Sequence, residues 1–439
     1  MMQSIDLRGR TLDTLALRQL IPRPVVDVAV ASAAARDLIT DVADRGADAL
    51  LEQADRFDGG RPASLRVDPA DIDAAVASMD PSVRAALEEA IRRVRTASAA
   101  QVPSASRTEL GDGAVVEQRW HPVDRVGLYV PGGKAVYPSS VVMNVVPALV
   151  AGVRSIALAS PPQKEHGGRV HPTILAAAGL LGITEVYAMG GAGAIGAFAH
   201  GVPSIGLDPV DVVTGPGNVF VAAAKRLVKG LVGIDSEAGT TEILVIADDS
   251  ADPRLVAFDL VSQAEHDEAA ASLLVTDSER LARAVEDVLP SIAGATAHAE
   301  RVRTALSGPQ SAVVLVDDLA AGAAFSNVYG PEHLELQVAD EDALLSLIHS
   351  AGAVFVGPSS PVSLGDYLAG SNHVLPTGGG ARFASGLGAF TFLRPQQIVR
   401  YSEDALAAVA DHIVALSTAE ALPAHGEAVS ARFPTPEAD

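Results

Sequence analysis

Apolar residues follow two different patterns along the chain. In the first hundred residues they recur every three to four positions, most regularly over residues 83–94, and this spacing predicts amphipathic helices. Asp68-Pro69 and Asp80-Pro81 each supply a capping carboxylate and a proline whose fixed φ suits a first helical turn. From Arg125 onward, short β-branched runs alternate with Ala-rich helical stretches. That alternation predicts βαβ units and therefore parallel sheets.

Eight β-strands are predicted after Arg125: Val126–Val130, Ser155–Ala159, Glu185–Met189, Asp211–Thr214, Glu242–Ala247, Ser272–Thr276, Ala312–Val316 and Ala353–Val356. Given the length of the chain, we expect them to form two sheets rather than one. A hairpin is expected around Gly111-Asp112-Gly113, and one or two amphipathic helices with no further strand are expected after about Tyr401. The predicted fold class is α/β with parallel sheets.

The composition narrows the classes of protein that fit this pattern. Of 439 residues, 48% are hydrophobic and 20% are charged, the balance of a folded chain, and the formal net charge is −22. A chain this acidic is repelled by phosphate backbones and by anionic lipid, which argues against nucleic-acid and membrane-surface roles. The absence of cysteine excludes a disulfide, a thiolate nucleophile and a Cys-ligated metal. Any metal must therefore bind nitrogen and oxygen ligands.

No segment predicts secretion or membrane insertion. The N-terminus carries Asp6 and lacks the apolar core of a signal peptide. The uncharged runs Ala135–Val153 and Val186–Leu207 are long enough to span a bilayer, but prolines interrupt the first and glycines the second. Both runs resemble buried elements joined by turns, so we expect a cytoplasmic protein.

Three glycine-rich turns follow predicted strands. Gly191-Ala-Gly193-Ala-Ile-Gly196 fits the G-x-G-x-x-G pattern that lets a pyrophosphate approach a helix N-terminus, although Gly- and Ala-rich chains also produce such matches by chance. Tyr129-Val-Pro-Gly-Gly133 and Gly215-Pro-Gly-Asn218 are ordinary turn sequences when taken singly. Because ligands of open α/β sheets gather at the carboxyl ends of strands, the three turns together predict a ligand-binding crevice.

Amide, acidic and imidazole side chains recur in the second half of the chain. Gln263 and His266 lie three positions apart near a predicted helix end, so both can face one cation, although a helix C-terminus also favours a histidine without any ligand. Glu332 and His333 are adjacent in the predicted turn from Tyr329, and histidine is the commonest acid/base group in catalysis. Taken alone, each also fits an ordinary polar surface. The remaining candidates are Asp366, His373, Glu420 and His425.

In their order and context, these segments resemble the histidinol dehydrogenase family. The resemblance runs from Arg125-Val-Gly-Leu-Tyr-Val-Pro-Gly-Gly133 to Glu420–Arg432, through Ser262-Gln-Ala-Glu-His266, Gly330-Pro-Glu-His-Leu-Glu335 and Ser371-Asn-His-Val-Leu-Pro-Thr377. It implies oxidation of L-histidinol to L-histidinal and then to L-histidine, the last step of histidine biosynthesis, with reduction of two NAD⁺. It also implies a homodimer with Rossmann-like domains, in which the C-terminal tail completes the partner's site.

The resemblance further implies roles for individual residues. One Zn²⁺ per subunit would be held by Gln263, His266, Asp366 and His425. The acid/base pair would be Glu332 and His333. Substrate-binding residues would be Thr241, Gln263, His266, His333, Asp366, His373, Glu420 and His425, and NAD contacts would be Tyr129, Gly193 and Asn218. Glu420 and His425 would then lie across the dimer interface.

Implied domain boundaries follow the same resemblance. An N-terminal segment covers residues 1–28. Residues 29–127 and 242–385 would form a Rossmann-like domain that carries the metal and acid/base residues, and residues 128–241 a Rossmann-like NAD-side domain. Residues 386–439 would form the helical tail at the dimer interface.

The chain departs from the family at three positions near these residues. Gly193 stands where the family usually has Gln, so a cofactor contact there can be made only by the backbone. Thr240-Thr241 replaces a frequent Pro-Ser and keeps a hydroxyl group. Ala421 follows the tail glutamate where Gly is frequent. None of these changes removes a group that the chemistry needs.

The chemistry of the residues agrees with the resemblance. One amide, two imidazoles and one carboxylate suit Zn²⁺. Since no cysteine can form a thiohemiacetal, the aldehyde must be oxidised as its hydrate, with Glu332 as the base for water and His333 as the base for the alcohol proton. Two alternatives remain: a paralogous zinc- and NAD-dependent dehydrogenase of another small polar alcohol, and a zinc hydrolase or ligand-binding protein without redox chemistry. The NAD-side turns and the Glu332-His333 pair argue against the second.

Overall fold

The chain folds into two compact units in the computed structural model, which describes residues 2–10, 13–23, 28–132, 136–236 and 239–433. The first unit consists of Met1–Gln101 and Val123–Phe392, and the second of Val102–Pro122 and Leu393–Asp439. Among the described residues, no helix has both the length and the apolar character that crossing a bilayer requires.

Fourteen strands occur in the described part of the chain, numbered in chain order: β1 Gln3–Asp6, β2 Ser106–Gly111, β3 Ala114–Pro122, β4 Arg125–Tyr129, β5 Ser155–Ser160, β6 Val186–Ala188, β7 Val212–Thr214, β8 Gly233–Ile234, β9 Glu242–Ala247, β10 Ala271–Thr276, β11 Ala312–Leu315, β12 His333–Gln337, β13 Ala353–Val356 and β14 Leu393–Tyr401. The first unit contains a six-stranded sheet, β1-β11-β10-β9-β12-β13, and a five-stranded sheet, β6-β5-β4-β7-β8. Every strand pair in these two sheets is parallel. The α/β class and the parallel sheets are therefore confirmed.

The second unit has a different architecture. Its three-stranded sheet, β14-β3-β2, is antiparallel and contains the hairpin predicted around Gly111-Asp112-Gly113. Two helices follow β14, and they confirm the predicted helical tail.

The described helices, also in chain order, are α1 Thr14–Leu20, α2 Val28–Arg45, α3 Ala47–Gln53, α4 Pro69–Ala77, α5 Pro81–Ala99, α6 Pro138–Ala151, α7 Pro172–Leu180, α8 Gly191–His200, α9 Val219–Val228, α10 Pro253–Ala264, α11 Glu279–Ala295, α12 Ala299–Ser307, α13 Leu319–Tyr329, α14 Glu341–Leu345, α15 Val362–Tyr367, α16 Glu403–Ala419 and α17 Pro423–Ser430. Helix α2 packs on α8 and α9, α4 on α7, and α5 on α6. The N-terminal helices thus cover the five-stranded sheet. The family resemblance implied instead that residues 29–127 and 242–385 form one domain. The domain boundaries themselves stay a prediction.

All eight predicted strands occur, each within a residue or two of the predicted bounds, but β1, β8, β12 and β14 were not predicted. The turn predicted from Tyr329 to His333 is wrong at its end, because His333 is the first residue of β12. The segment alternates His333, Glu335 and Gln337 with leucines, and all five residues of the strand are buried. Three polar side chains on one face hid a central strand from the hydrophobic pattern.

Strand β9 shows how the six-stranded sheet is buried on both faces. Ile243 and Val245 belong to the core that includes residues of α10, and Leu244 and Ile246 belong to the core that includes residues of α13. Glu242, the first residue of the strand, is buried as well. A continuous apolar strand with helices on both faces is typical of a parallel sheet.

Candidate active site

The predicted acid/base residues lie at the amino-terminal edge of the six-stranded sheet. Glu332 directly precedes β12, Thr241 directly precedes β9, and His333 is paired with Ile243 in the parallel register. Helix α10 follows β9 and ends at Ala264, which brings Gln263 back to this edge. Ligands of open α/β sheets usually bind at the carboxyl ends of the strands, so this rule alone would have predicted a site at the opposite edge of the sheet.

Two donors fix the Glu332 carboxyl group. Its Oε2 accepts hydrogen bonds from Thr241 Oγ1 at 2.6 Å and from the backbone N–H of Glu242 at 3.0 Å. Burial raises the pKa of Glu332 to about 7, against the lowering effect of these hydrogen bonds and of His266. Glu332 can therefore both accept and release a proton near neutral pH.

The His333 ring is held in place through Nδ1, one of its two ring nitrogens. Nδ1 lies 3.1 Å from the backbone carbonyl oxygen of Glu242, and because that oxygen can only accept, Nδ1 carries the proton. Burial lowers the pKa of His333, so the ring is neutral and Nε2 has the free lone pair. Nδ1 also lies 3.6 Å from Glu332 Oε2, and the two side chains form one buried pair.

The predicted metal ligands of the first unit adjoin this pair. Gln263 Nε2 donates to Thr241 Oγ1 at 2.6 Å, while its buried Oε1 has no hydrogen-bond partner among the described residues. The charge of His266 lowers the pKa of Glu332 and that of Asp366 raises it, so both lie close enough to interact electrostatically with this carboxyl group. A buried amide oxygen without a donor, next to an imidazole and a carboxylate, is the donor set that a Zn²⁺ ion would fit. Among the described residues, no group of three or more His, Cys, Asp or Glu side chains forms a metal cluster.

His373 is fixed on both ring nitrogens. Its Nδ1 donates to the backbone carbonyl oxygen of Asp366 at 2.8 Å, and its Nε2 lies 3.0 Å from Ser140 Oγ. Burial lowers the pKa of His373, so Nε2 accepts the Ser140 hydroxyl proton. Ser140 lies on α6, beside the five-stranded sheet, and was not a sequence candidate.

The glycine turns of the five-stranded sheet are closely packed. Tyr129 is 4% exposed, and its hydroxyl accepts the N–H of Gly191 at 3.2 Å. A Cβ atom added to Gly193 would lie 2.2 Å from Gln53 Oε1, so this glycine allows α8 to pack on α3. Asn218 caps α9 through Oδ1, which accepts the N–H groups of Phe220 and Val221 and leaves the amide NH₂ for a ligand.

Asp58 lies at the same end of α8 and was missed by the sequence. A Cβ atom added to Gly190 would lie 2.6 Å from its Oδ1, and the N–H of Gly190 donates to this carboxyl group. Burial raises the pKa of Asp58 to about 7. Protein side chains therefore pack against Gly190, which directly precedes the G-x-G-x-x-G pattern, and against Gly193, its second glycine, and the predicted NAD contact at Gly193 stays a prediction. Gly133, the last residue of the turn from Tyr129, lies outside the described residues.

Glu420 and His425 belong to the second unit. Glu420 caps the end of α16 and His425 lies on α17. Between them, Ala421 has a φ of +54°, the only positive φ of a non-glycine residue in the described ranges. The frequent glycine of the family at this position matches that conformation.

A parallel α/β fold with a buried carboxyl–imidazole pair at a sheet edge is typical of an enzyme that uses acid/base catalysis. The family model described as Histidinol dehydrogenase matches residues 21–433. The histidinol dehydrogenase of Leifsonia xyli subsp. xyli is 71% identical over 98% of this chain and 99% of its own length, and that of Nocardia farcinica is 57% identical over 98% and 97%. The crystal structure of histidinol dehydrogenase from Elizabethkingia anophelis superposes with a TM-score of 0.92 at 32% identity, covering 98% of both chains.

The chain belongs to the histidinol dehydrogenase family. It is accordingly an NAD-dependent oxidoreductase, and the reaction of its family is the oxidation of L-histidinol through L-histidinal to L-histidine with two NAD⁺.

Proposed function

We propose that Glu332 and His333 carry the proton transfers of this reaction, with His333 serving the alcohol and Glu332 serving water. This division is supported by which polar atoms of the two side chains already make hydrogen bonds. His333 keeps the lone pair on Nε2, and Glu332 receives both of its donors on Oε2, which leaves Oε1 for a further partner.

In the first oxidation, His333 Nε2 takes the hydroxyl proton of histidinol as the hydride leaves the carbon that bears this hydroxyl group. A neutral imidazole with its Nδ1–H bound to a carbonyl oxygen is suited to this step, because the acceptor nitrogen is fixed in advance. NAD⁺, when bound, supplies the hydride acceptor. The products of this step are the aldehyde, NADH and a proton on His333.

In the second oxidation, Glu332 takes a proton from water as the water oxygen adds to the aldehyde carbon. The aldehyde oxygen takes up the proton held on His333, so the resulting hydrate is neutral and His333 is a free base again. As a second hydride leaves the hydrate carbon, His333 takes one hydroxyl proton, which gives the carboxylic acid. The chain contains no cysteine, so a covalent thiohemiacetal cannot take the place of the hydrate. A carboxyl group with a pKa of about 7 is partly ionised near neutral pH, so it can accept this proton and release it again afterwards.

The residues that would hold zinc are Gln263, His266 and Asp366 of one subunit, together with His425. The unsatisfied Oε1 of Gln263 supports this assignment, since a buried amide oxygen without a donor costs free energy. Bound there, a zinc ion would orient the imidazole and amine of the substrate. Thr241 and His373 adjoin these ligands and would contact the substrate, as would Glu420 of the tail.

NAD would bind at the turns that contain Tyr129, Gly193 and Asn218. The amide NH₂ of Asn218 supports this proposal, because it has no hydrogen-bond partner among the described residues while Oδ1 caps α9. The chain would act as a homodimer in which the tail residues Glu420 and His425 complete the partner's site. Their position in a compact unit separate from the one that holds Glu332 is compatible with that exchange.

The division of roles can be tested by single-turnover measurements on Glu332→Gln. The variant is nearly isosteric, so we expect zinc to be retained and the overall rate to fall by roughly 10²–10⁴, the scale of a general acid/base group. The first equivalent of NADH should form at close to the normal rate and the second slowly.

Glu335→Gln is a matched control in β12, the strand that Glu332 directly precedes, and it should leave both equivalents unchanged. Equal slowing of both equivalents in Glu332→Gln would contradict the assignment of Glu332 to water. Normal rates for both would contradict any acid/base role.

A further inference from the structure

A buried network surrounds the side chain of Glu242, which no role assigned above includes. Glu242 is 2% exposed, and its Oε2 accepts hydrogen bonds from Arg23 Nη1 and from the hydroxyl of Tyr329, both at 3.0 Å. Its Oε1 accepts the backbone N–H of Gly378 at 3.1 Å. All three neighbours are donors, so Glu242 serves as a fully accepting carboxylate.

Arg23 ties together two elements that approach the active site. Its guanidinium donates to the backbone carbonyl oxygen of Tyr329 as well as to Glu242, and its central carbon lies 4.1 Å from the centre of the Tyr329 ring. Tyr329 ends α13, and only Gly330 and Pro331 separate it from Glu332. The same cation therefore fixes the start of β9 and the end of the helix that leads into the catalytic pair.

The backbone of Glu242 is bound to both catalytic side chains. Its N–H donates to Glu332 Oε2 at 3.0 Å, and its carbonyl oxygen accepts from His333 Nδ1 at 3.1 Å. A shift of this one residue would move the Glu332 carboxyl group and release the proton of His333 Nδ1 from its acceptor. The second effect would allow the proton to move to Nε2, where it would block the base.

We propose that Glu242, anchored by Arg23 and Tyr329, is a positioning residue that aligns Glu332 and fixes the tautomer of His333. The inference rests on the proposed roles of those two residues. The Glu242 side chain contacts neither substrate nor cofactor in this scheme, so its removal should affect the rate of proton transfer more than the binding of substrate.

The test is a steady-state comparison of Glu242→Gln with the wild type. The amide keeps the size of the side chain, but its NH₂ group faces either the Gly378 N–H or the donors of Arg23 and Tyr329, and the ion pair is lost. We expect kcat to fall roughly 10–100-fold, the effect of small misplacements of catalytic groups, with the KM for histidinol within about threefold and zinc content unchanged. Arg23→Lys, which keeps the cation, should recover much of the kcat that Arg23→Met loses.

A matched control is Glu185→Gln in the five-stranded sheet. Glu185 forms a part-buried ion pair with Arg125, whose Nη1 lies 3.1 Å from Glu185 Oε2, far along the chain from the catalytic pair. This change should lower stability and leave kcat unchanged. A folded, zinc-loaded Glu242→Gln enzyme with kcat within twofold of wild type would overturn the proposal, and so would a kcat that falls only in proportion to the folded fraction.

Tyr329→Phe covers the case in which Glu242→Gln does not fold. It removes one donor to Glu242 and keeps the ring against Arg23, so we expect a smaller loss of kcat, again without a change in KM. A normal kcat in this variant would also overturn the proposal. Glu332→Gln and His333→Asn distinguish failure of the proposed catalytic roles from failure of the positioning role. Full activity in both variants would refute the proposed function. Inactivity of both, together with normal activity of Glu242→Gln, would refute only the positioning role of Glu242.

Discussion

At the residue scale, the proposed acid/base chemistry of this protein depends on the hydrogen bonds that each polar atom already makes. Thr241 takes a hydrogen bond from the Gln263 NH₂ and gives one to Glu332, while the Gln263 carbonyl oxygen has no partner among the described residues. Replacement of the frequent serine by Thr241 keeps this relay. Serine and threonine hydroxyls can both make these two hydrogen bonds.

Ala421 is a residue-scale departure with a measurable cost. Its φ of +54° lies in the left-handed region, which a Cβ atom disfavours by about 1 kcal/mol or more. We expect Ala421→Gly to raise the free energy of unfolding by about 1 kcal/mol, measured by thermal or denaturant unfolding.

Ala419→Gly is the control for this change. Ala419 is the last residue of α16, where glycine should lower the free energy of unfolding by roughly 0.5–1 kcal/mol. A loss of stability in both variants would contradict the proposed strain at Ala421.

At the element scale, β12 supplies the His333 side chain of the proposed active site and buries a second ionisable group, Glu335, two residues further on. Glu335 is fully buried beside Asp259 of α10, and its Oε1 accepts the Gln337 amide at 2.7 Å. Burial, strengthened by the Asp259 charge, raises the pKa of Glu335 to about 9. The native strand therefore keeps this carboxyl group protonated at neutral pH.

This protonation makes stability depend on pH. The unfolded chain releases the Glu335 proton above its ordinary pKa of 4.5, while the native protein holds it until about pH 9. The free energy of unfolding must then fall as pH rises between these values, by at most about 1.4 kcal/mol per pH unit from this group. We expect Glu335→Gln, which cannot ionise, to become more stable relative to wild type at each step from pH 6 to pH 9 in urea unfolding.

Asp259→Asn should show part of the same effect, because it removes the neighbouring charge that raises the pKa of Glu335 further. A stability difference between Glu335→Gln and wild type that is independent of pH would mean that Glu335 is ionised in the native protein.

At the scale of the whole molecule, the proposed catalytic groups are divided between two compact units. Glu332, Gln263 and their neighbours belong to the first unit, and Glu420 and His425 to the second. In a homodimer with exchanged tails, each complete site would use the first unit of one subunit and the tail of the other.

Subunit mixing tests the exchange of tails. Glu332→Gln and His425→Asn subunits should each be nearly inactive alone. In a heterodimer of the two, one site would carry both changes and the other would carry neither, so activity should return on mixing. Differently tagged subunits allow the heterodimer to be purified before the assay.

Mixing of two Glu332→Gln preparations is the control, and it should restore nothing. Verified heterodimers that stay inactive would show that the tail serves its own subunit.

The sequence by itself predicted eight strands, the hairpin and the helical tail, because alternation of apolar residues reports local burial over a few positions. Its ordered motifs also indicated the family, and with it Glu332, His333 and the zinc and NAD residues. It did not predict β12, since three polar side chains on one buried face break the pattern on which strand prediction depends.

Only the tertiary structure decided how those residues are held. Arg23 and Glu242 are 219 positions apart, and nothing in local periodicity relates a cation near the N-terminus to a carboxylate that opens an apolar strand. The parallel register of β9 and β12 brings the side chains of Glu332 and His333 to the backbone N–H and carbonyl groups of Glu242. Packing likewise decided that Gly193 faces Gln53. Such contacts join distant segments, so they exist only once the sheet and its helices have assembled around a common core.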